Sequence, residues 1–207
     1  MSHFNDRLYL AMNDFARHTV WLHGPARVFA KYGVVLFALA ILAACWHWRR
    51  SPRLLAASVW AGLGTLIAEG INQPLGRVFD VARPYVAHPH ALVIVNRTSD
   101  FSFPSDHAVM AGAVATGLLI VSRRWGLYAV GAAAIMAATR VYVGAHYPAD
   151  VVAGLAVGAL ITGLGWLLFG HVLTRLATIA TARTGSALGL SRADRRANVP
   201  GTRGWQD

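Results

Sequence analysis

One cysteine stands in the chain, Cys45, so no intramolecular disulfide is available, and its place inside an apolar run marks it as a packing residue. Acidic residues are scarce too: 9 Asp and Glu face 19 Lys and Arg, a net charge of +10. A compact basic patch would suit nucleic acid. Here the basic residues are scattered among apolar segments, which points instead to anionic lipid headgroups and phosphate esters. Residues 1–20 lack the basic, apolar, small-residue order of a cleavable signal peptide. No internal repeat and no second domain are visible.

What is abundant is apolar surface: 56% of the 207 residues are hydrophobic, above the share of an ordinary soluble domain, and mean hydropathy is +0.45. A bilayer core takes about 20 apolar residues per helix. Five segments qualify, at 32–46, 54–71, 107–121, 127–138 and 151–172; the fourth needs the flanks at Trp125 and at Arg140 to reach full length. Residues 4–16 place Phe4, Leu8, Ala11, Met12 and Phe15 at helical spacing, which predicts an amphipathic helix on the membrane surface or against the bundle. From Arg175 onward the chain turns polar, basic and rich in Gly and Ala. The fold expected is an all-α polytopic membrane bundle of five or six helices with an N-terminal amphipathic helix.

Five crossings put Arg49, Arg50 and Arg53, then Arg123 and Arg124, then the basic tail on one side, which the positive-inside rule makes cytoplasmic. Eleven basic residues lie there against eight opposite, and against five once Arg77, Arg83 and Arg140, beside the polar clusters, are set apart. The loop at 76–104 and the short one at 140–149 then face outward.

Those two loops hold the unusual chemistry. One carries "GRVFDVARPY", "HPH" and "FPSDH", the other "TRVYVGAHYPADVV". Pro148 reads as a helix start, leaving His146 just before the helix and Asp150 in its first turn. Four residues apart, the carboxylate can hold one imidazole nitrogen and leave the other free to attack. Ser105 reads as the N-cap of the next helix, whose first N–H groups form an anion site, with His107 poised to protonate a leaving oxygen. Arg83 and Arg140 offer planar forks for phosphoryl oxygens. The combination is that of a phosphoryl-transfer site.

"ARPY", "FPSDH" and "TRVYVGAHYPAD" resemble the three signature motifs of the type 2 phosphatidic acid phosphatase superfamily, and R-x5-H-x3-D matches fully at Arg140, His146 and Asp150. Within the superfamily the chain looks most like the bacitracin-resistance type of undecaprenyl diphosphate phosphatase. The resemblance implies that His146 is the nucleophile and forms a phosphohistidine, that Asp150 orients it, and that His107 protonates the leaving group. Arg83, Ser105, Arg140 and the backbone at Asp106 would hold the phosphoryl oxygens. It further implies a metal-independent, cofactor-free enzyme of a bacterial inner membrane with its site facing the periplasm. The catalytic domain would cover residues 1–174 and a basic cytoplasmic tail residues 175–207. The substrate expected is undecaprenyl diphosphate; phosphatidic acid, phosphatidylglycerol phosphate or lipid A phosphate is the alternative.

Three positions depart from the family pattern. The lysine usual seven places before the first-motif arginine is Gly76 here, and Arg77 is the candidate substitute. Thr139 replaces a serine and keeps the hydroxyl. Asp106 replaces a glycine, and either complements the helix dipole, holds Arg83 or tunes the headgroup. Asp80 and Asp100 read as loop or arginine-pairing residues, and His88 and His90 as surface loop residues. Glu69, beside Asn72 and Gln73, is either functional or a hydrogen-bonded helix contact. Gly112, Gly117, Gly154 and Gly158 read as close helix packing, and Trp46, Trp48, Trp125 and Tyr128 as interfacial belt residues. Two other classes compete: a zinc hydrolase using these histidines and aspartates, opposed by the crowding arginines and the lack of an HExxH pair, and a non-enzymatic lipid-phosphate carrier, opposed by a site at one face.

Overall fold

A computed structural model describes residues 3–187, and among these the chain is helical with no strand. The elements are α1 (His3–His18), α2 (His23–His47), α3 (Pro52–Phe79), the single turn α4 (Pro84–Ala87), α5 (Asp106–Val121), α6 (Arg123–Tyr142) and α7 (Pro148–Ala187), with one 3₁₀ turn at Val20–Leu22. Each expected span lies inside one of the five long helices. Prolines start α3, α4 and α7 in their first turn, where a missing N–H costs nothing. Asp80 ends α3 in the left-handed conformation, at φ 45°.

α5 is the centre. It is apolar on every side and packs against α2, α3, α6 and α7, the pattern of a helix with no solvent face. At 16 residues it rises about 24 Å, short of the ~30 Å hydrocarbon core. By length and composition α2, α3 and α7 are each sufficient to cross a bilayer. α6 holds the remaining flank of α5, with Arg123 and Arg124 at one end and Arg140 at the other.

The α5–α7 contact depends on small residues, as the glycine spacing predicted. A Cβ on Gly158 would lie 2.0 Å from the carbonyl oxygen of Val109, and one on Gly112 would lie 2.3 Å from that of Leu155. The two backbones meet directly. Trp48 and Trp125 touch at the far end of the bundle, ring centroids 4.9 Å apart, while Trp46 and Tyr128 remain exposed.

α7 runs past the expected span. Its 40 residues extend about 60 Å, because Ala-rich sequence continues to Ala187 and Thr174 and Thr178 bond back to carbonyls one turn earlier. The boundary expected at residue 175 thus falls inside a helix. The basic segment with Arg192, Arg195, Arg196 and Arg203 lies outside the described residues.

α1 is amphipathic as expected, and of the two placements left open its apolar stripe takes the membrane-facing one. Asn5, Tyr9, Asn13 and Ala16 turn toward the protein, while Phe4, Leu8 and Phe15 stay exposed. Hydrogen bonding decides this. Asn5 accepts the N–H of Ala149 at 3.0 Å, Asn13 exchanges two hydrogen bonds with the main chain of Leu92, and Arg17 donates to the carbonyl of His90. The asparagines dock the helix and the apolar stripe is left for lipid.

Candidate active site

The 80–105 loop and the α6–α7 turn come together at one end of the bundle. Ile94 N–H donates to Val143 O at 3.0 Å, and Ser105 N–H to Asp150 O at 3.1 Å. Gly144 makes the turn possible, with φ +79° and the carbonyl of Leu92 2.5 Å from where a Cβ would stand. Between these segments Arg83, Ser105, Arg140, His146 and Asp150 are all buried. His107 lies in the first turn of α5, within electrostatic reach of Arg140, His146 and Arg83. Two loops distant in sequence form one cluster.

His146 is its middle. Arg83 Nη1 donates toward its Nε2 at 3.1 Å, and Arg140 Nη2 at 3.3 Å. Guanidinium nitrogens only donate, so Nε2 is the acceptor and carries the lone pair. The proton then resides on Nδ1, which donates to the carbonyl of Ser102 at 2.8 Å. Burial pushes the His146 pKa well below the usual imidazole value, and the charges of Arg140 and Arg83 push the same way. The ring is neutral, with its Nε2 lone pair facing the two guanidinium groups.

The Asp150 contact differs from the direct bond that the i, i+4 spacing suggested. Its Oδ2 lies 3.7 Å from Nδ1 of His146, close enough for charge but too long for a hydrogen bond. That oxygen accepts instead from the Ser102 hydroxyl and, at 2.9 Å, from the N–H of Tyr147. Ser102 is the residue the sequence reading missed. Nothing in its local pattern marks it, since its partners are 44 and 48 positions away.

Arg83 is fixed by Asp100, which accepts at 2.9 Å from Nε and 3.0 Å from Nη2, so the arginine-pairing expectation for Asp100 holds. Burial raises the Asp100 carboxyl, but hydrogen bonds from Arg83 and Thr98 outweigh it and leave the group below the usual carboxylate value. Arg140 has no carboxylate within hydrogen-bonding distance among the described residues: Nη1 reaches the Ala30 carbonyl at 3.4 Å, and Nε is buried without a partner. Ser105 stands at the N-cap of α5 as expected, but its hydroxyl is buried without a partner and makes no cap bond. A buried, incompletely paired cation is expensive alone and suits an anion.

Other expectations separate here. The Asp106 carboxylate turns away, accepting from Asn72 at 2.6 Å and Gln73 at 3.4 Å, so it ties α5 to α3 and does not hold Arg83. Arg77 is exposed with no contact to the cluster among the described residues, while Gly76 faces inward against Phe101. The substitution expected of Arg77 is not made in this geometry, because adjacent helical residues point about 100° apart. The Thr139 hydroxyl bonds back to Ile135 O. His88 is half-buried and stacks on Tyr9 at 5.7 Å beneath α1, and His90 serves α1 through its carbonyl. Oε1 of Glu69 is buried without a partner. Among the described residues no three His, Cys, Asp or Glu side chains gather as a metal site.

Comparison with known proteins agrees with this arrangement. The sequence profile of the PAP2 superfamily matches residues 57–173. Undecaprenyl-diphosphatase BcrC of Bacillus subtilis is 31% identical over 80% of this chain and 82% of its own. Decaprenylphosphoryl-5-phosphoribose phosphatase of Mycobacterium tuberculosis is 35% identical over 64% of this chain and 71% of its own. The crystal structure of a transmembrane PAP2 type phosphatidylglycerolphosphate phosphatase from Bacillus subtilis superposes with a TM-score of 0.58 at 18% identity, covering 79% of this chain and 85% of that one. The chain therefore belongs to the PAP2 superfamily and shares its transmembrane helical fold.

Proposed function

We propose that this multi-pass membrane protein is a metal-independent lipid phosphatase whose substrate is undecaprenyl diphosphate, cleaved to undecaprenyl phosphate and inorganic phosphate. One observation carries the reading: two buried guanidinium groups converge on the unprotonated nitrogen of a buried histidine. A phosphoryl group at that point meets a nucleophile and its charge partners together.

The chemistry runs in two halves. The Nε2 lone pair of His146 forms a bond to phosphorus while the bond from phosphorus to the bridging oxygen breaks. That oxygen leaves with the electron pair and takes a proton from His107. Water then attacks the phosphohistidine, His107 takes back a proton, and the N–P bond breaks to restore Nε2 and release phosphate. Arg83, Arg140 and the Ser105 hydroxyl hold the non-bridging oxygens throughout. Asp150, 3.7 Å from the ring, meets the positive charge of the phosphorylated imidazole.

The lipid assignment rests on the named relatives, two of which carry a polyprenyl lipid in their names. The excess of basic residues at the opposite end of the bundle supports a site at the outer leaflet, facing the periplasm of a bacterial inner membrane. Phosphate release from undecaprenyl diphosphate and from phosphatidic acid, measured with wild type and His146→Ala, tests this. Release from the diphosphate alone, abolished in the variant, is expected. Equal release by the variant discards the nucleophile, and preference for phosphatidic acid discards the substrate.

A further inference from the structure

We propose that Ser102 is the positioning residue of the nucleophile, coupling His146 to Asp150 and fixing which ring nitrogen attacks. The proposal rests on the reading of His146 given above. Every polar group of Ser102 is engaged. Its N–H donates to the carbonyl of Val81 at 2.8 Å, its hydroxyl donates to Oδ2 of Asp150, and its carbonyl accepts Nδ1–H of His146 at 2.8 Å. The residue is fully buried. It ties the segment two residues before Arg83 to the turn that holds His146.

The physical logic lies in what the ring does not touch. A carboxylate bonded directly to Nδ1–H would raise the basicity of the imidazole and draw its proton. Here a neutral carbonyl accepts that proton, and the carboxylate stands one step back at 3.7 Å. The tautomer is selected without a direct ion pair. Charge remains close enough to stabilise the cationic phosphohistidine once it forms.

Asp150 in turn clamps the two groups that control the ring. One Oδ2 atom accepts from Ser102, the ring's hydrogen-bond partner, and from Tyr147, the ring's neighbour in the chain. Oδ1 is buried and has no partner. Loss of the serine hydroxyl leaves the carboxylate a single donor. It then swings toward Nδ1, the one ring donor within reach.

Ser102→Ala in the full-length protein, assayed on undecaprenyl diphosphate beside wild type, tests this. The expected result is a kcat about tenfold to a hundredfold lower with KM within about twofold, because the loss falls on the transition state and not on binding. The acid limb of kcat/KM moves to higher pH as the carboxylate engages the ring. Ser102→Thr, which keeps the hydroxyl, restores kcat to within about threefold, and Ser102→Ala changes an Asp150→Asn background by less than about twofold. An unshifted pH profile, a kcat equal to wild type, or additive losses in the double variant would each overturn the proposal, including where the alanine variant is merely less stable. The lipid phosphatase reading fails separately, if wild type releases no phosphate or if His146→Ala is as active.

Discussion

Nη1 of Arg83 lies 3.1 Å from Nε2 of His146 across 63 positions of sequence, and the contact is possible only if that nitrogen is unprotonated. The same lone pair receives Arg140. Under the proposed function, a phosphoryl group arriving here would replace the arginine contacts to the ring with contacts to its own oxygens, so the groups that keep His146 neutral would also bind the group it attacks.

Removing His146 is expected to be more damaging than removing His107. His146→Ala deletes the covalent route and brings phosphate release to background. His107→Ala removes only proton transfer, on the order of 10²–10⁴-fold in kcat. The His107 variant should also accumulate a phosphoenzyme, read as acid-labile label after brief exposure to ³²P-substrate. Equal residual rates for the two variants contradict the assignment.

The pH dependence follows from the depressed pKa of His146, caused first by burial and then by Arg140 and Arg83. The reactive form is neutral, so activity is full above the folded pKa and is lost as pH falls through it. The acid limb of kcat/KM is thus expected well below about 6.5, the free imidazole value. Stability has the same sign: between the folded pKa and about 6.5 the unfolded chain binds the additional proton, so acid favours unfolding. A limb at or above the free value contradicts the site as described.

Asp100→Asn should weaken the aim of Arg83 without unfolding the protein. Asp100 is 55% exposed at its side chain, so the pair contributes less than about 1 kcal/mol to stability. Its carboxyl is held below the usual value, so the pair is intact at neutral pH and is lost only as pH falls through that lowered pKa. With the bidentate partner gone, kcat/KM on undecaprenyl diphosphate is expected to fall about tenfold. Thermal melting and steady-state rates separate the two effects.

Gly158→Ala tests the helix contact beneath the site. The new methyl would sit 2.0 Å from the carbonyl oxygen of Val109, so α5 and α7 must part, at a cost of about 3 kcal/mol. Gly131→Ala on α6 meets nothing within 4 Å and is expected to leave stability within about 1 kcal/mol of wild type. Melting in detergent compares the two.

Arginines where a metal hydrolase would place cations predict indifference to chelators. EDTA should leave the rate unchanged, and orthovanadate, a phosphate mimic, should inhibit competitively. Loss of activity in EDTA restored by zinc would favour the metal-dependent alternative.

The sequence by itself determined the all-helical membrane fold and the five long helices, and it singled out Arg83, Ser105, His107, Arg140, His146 and Asp150 as candidate site residues. Hydropathy period, prolines at helix starts and polar groups at span ends are local signals, and length and spacing preserve them. Only the tertiary structure decided the hydrogen-bond partners. Ser102 enters through contacts more than 40 residues distant, Asp150 acts across 3.7 Å and not through a direct bond, and Asp106 turns to Asn72. α1 buries its asparagines for the same reason, while Arg77 points away because it stands one helical position from the inward-facing Gly76. A periodic pattern reports which face is apolar, but the direction of a polar side chain is set by where another segment offers a donor or acceptor, and packed backbones such as those at Gly112 and Gly158 fix that place.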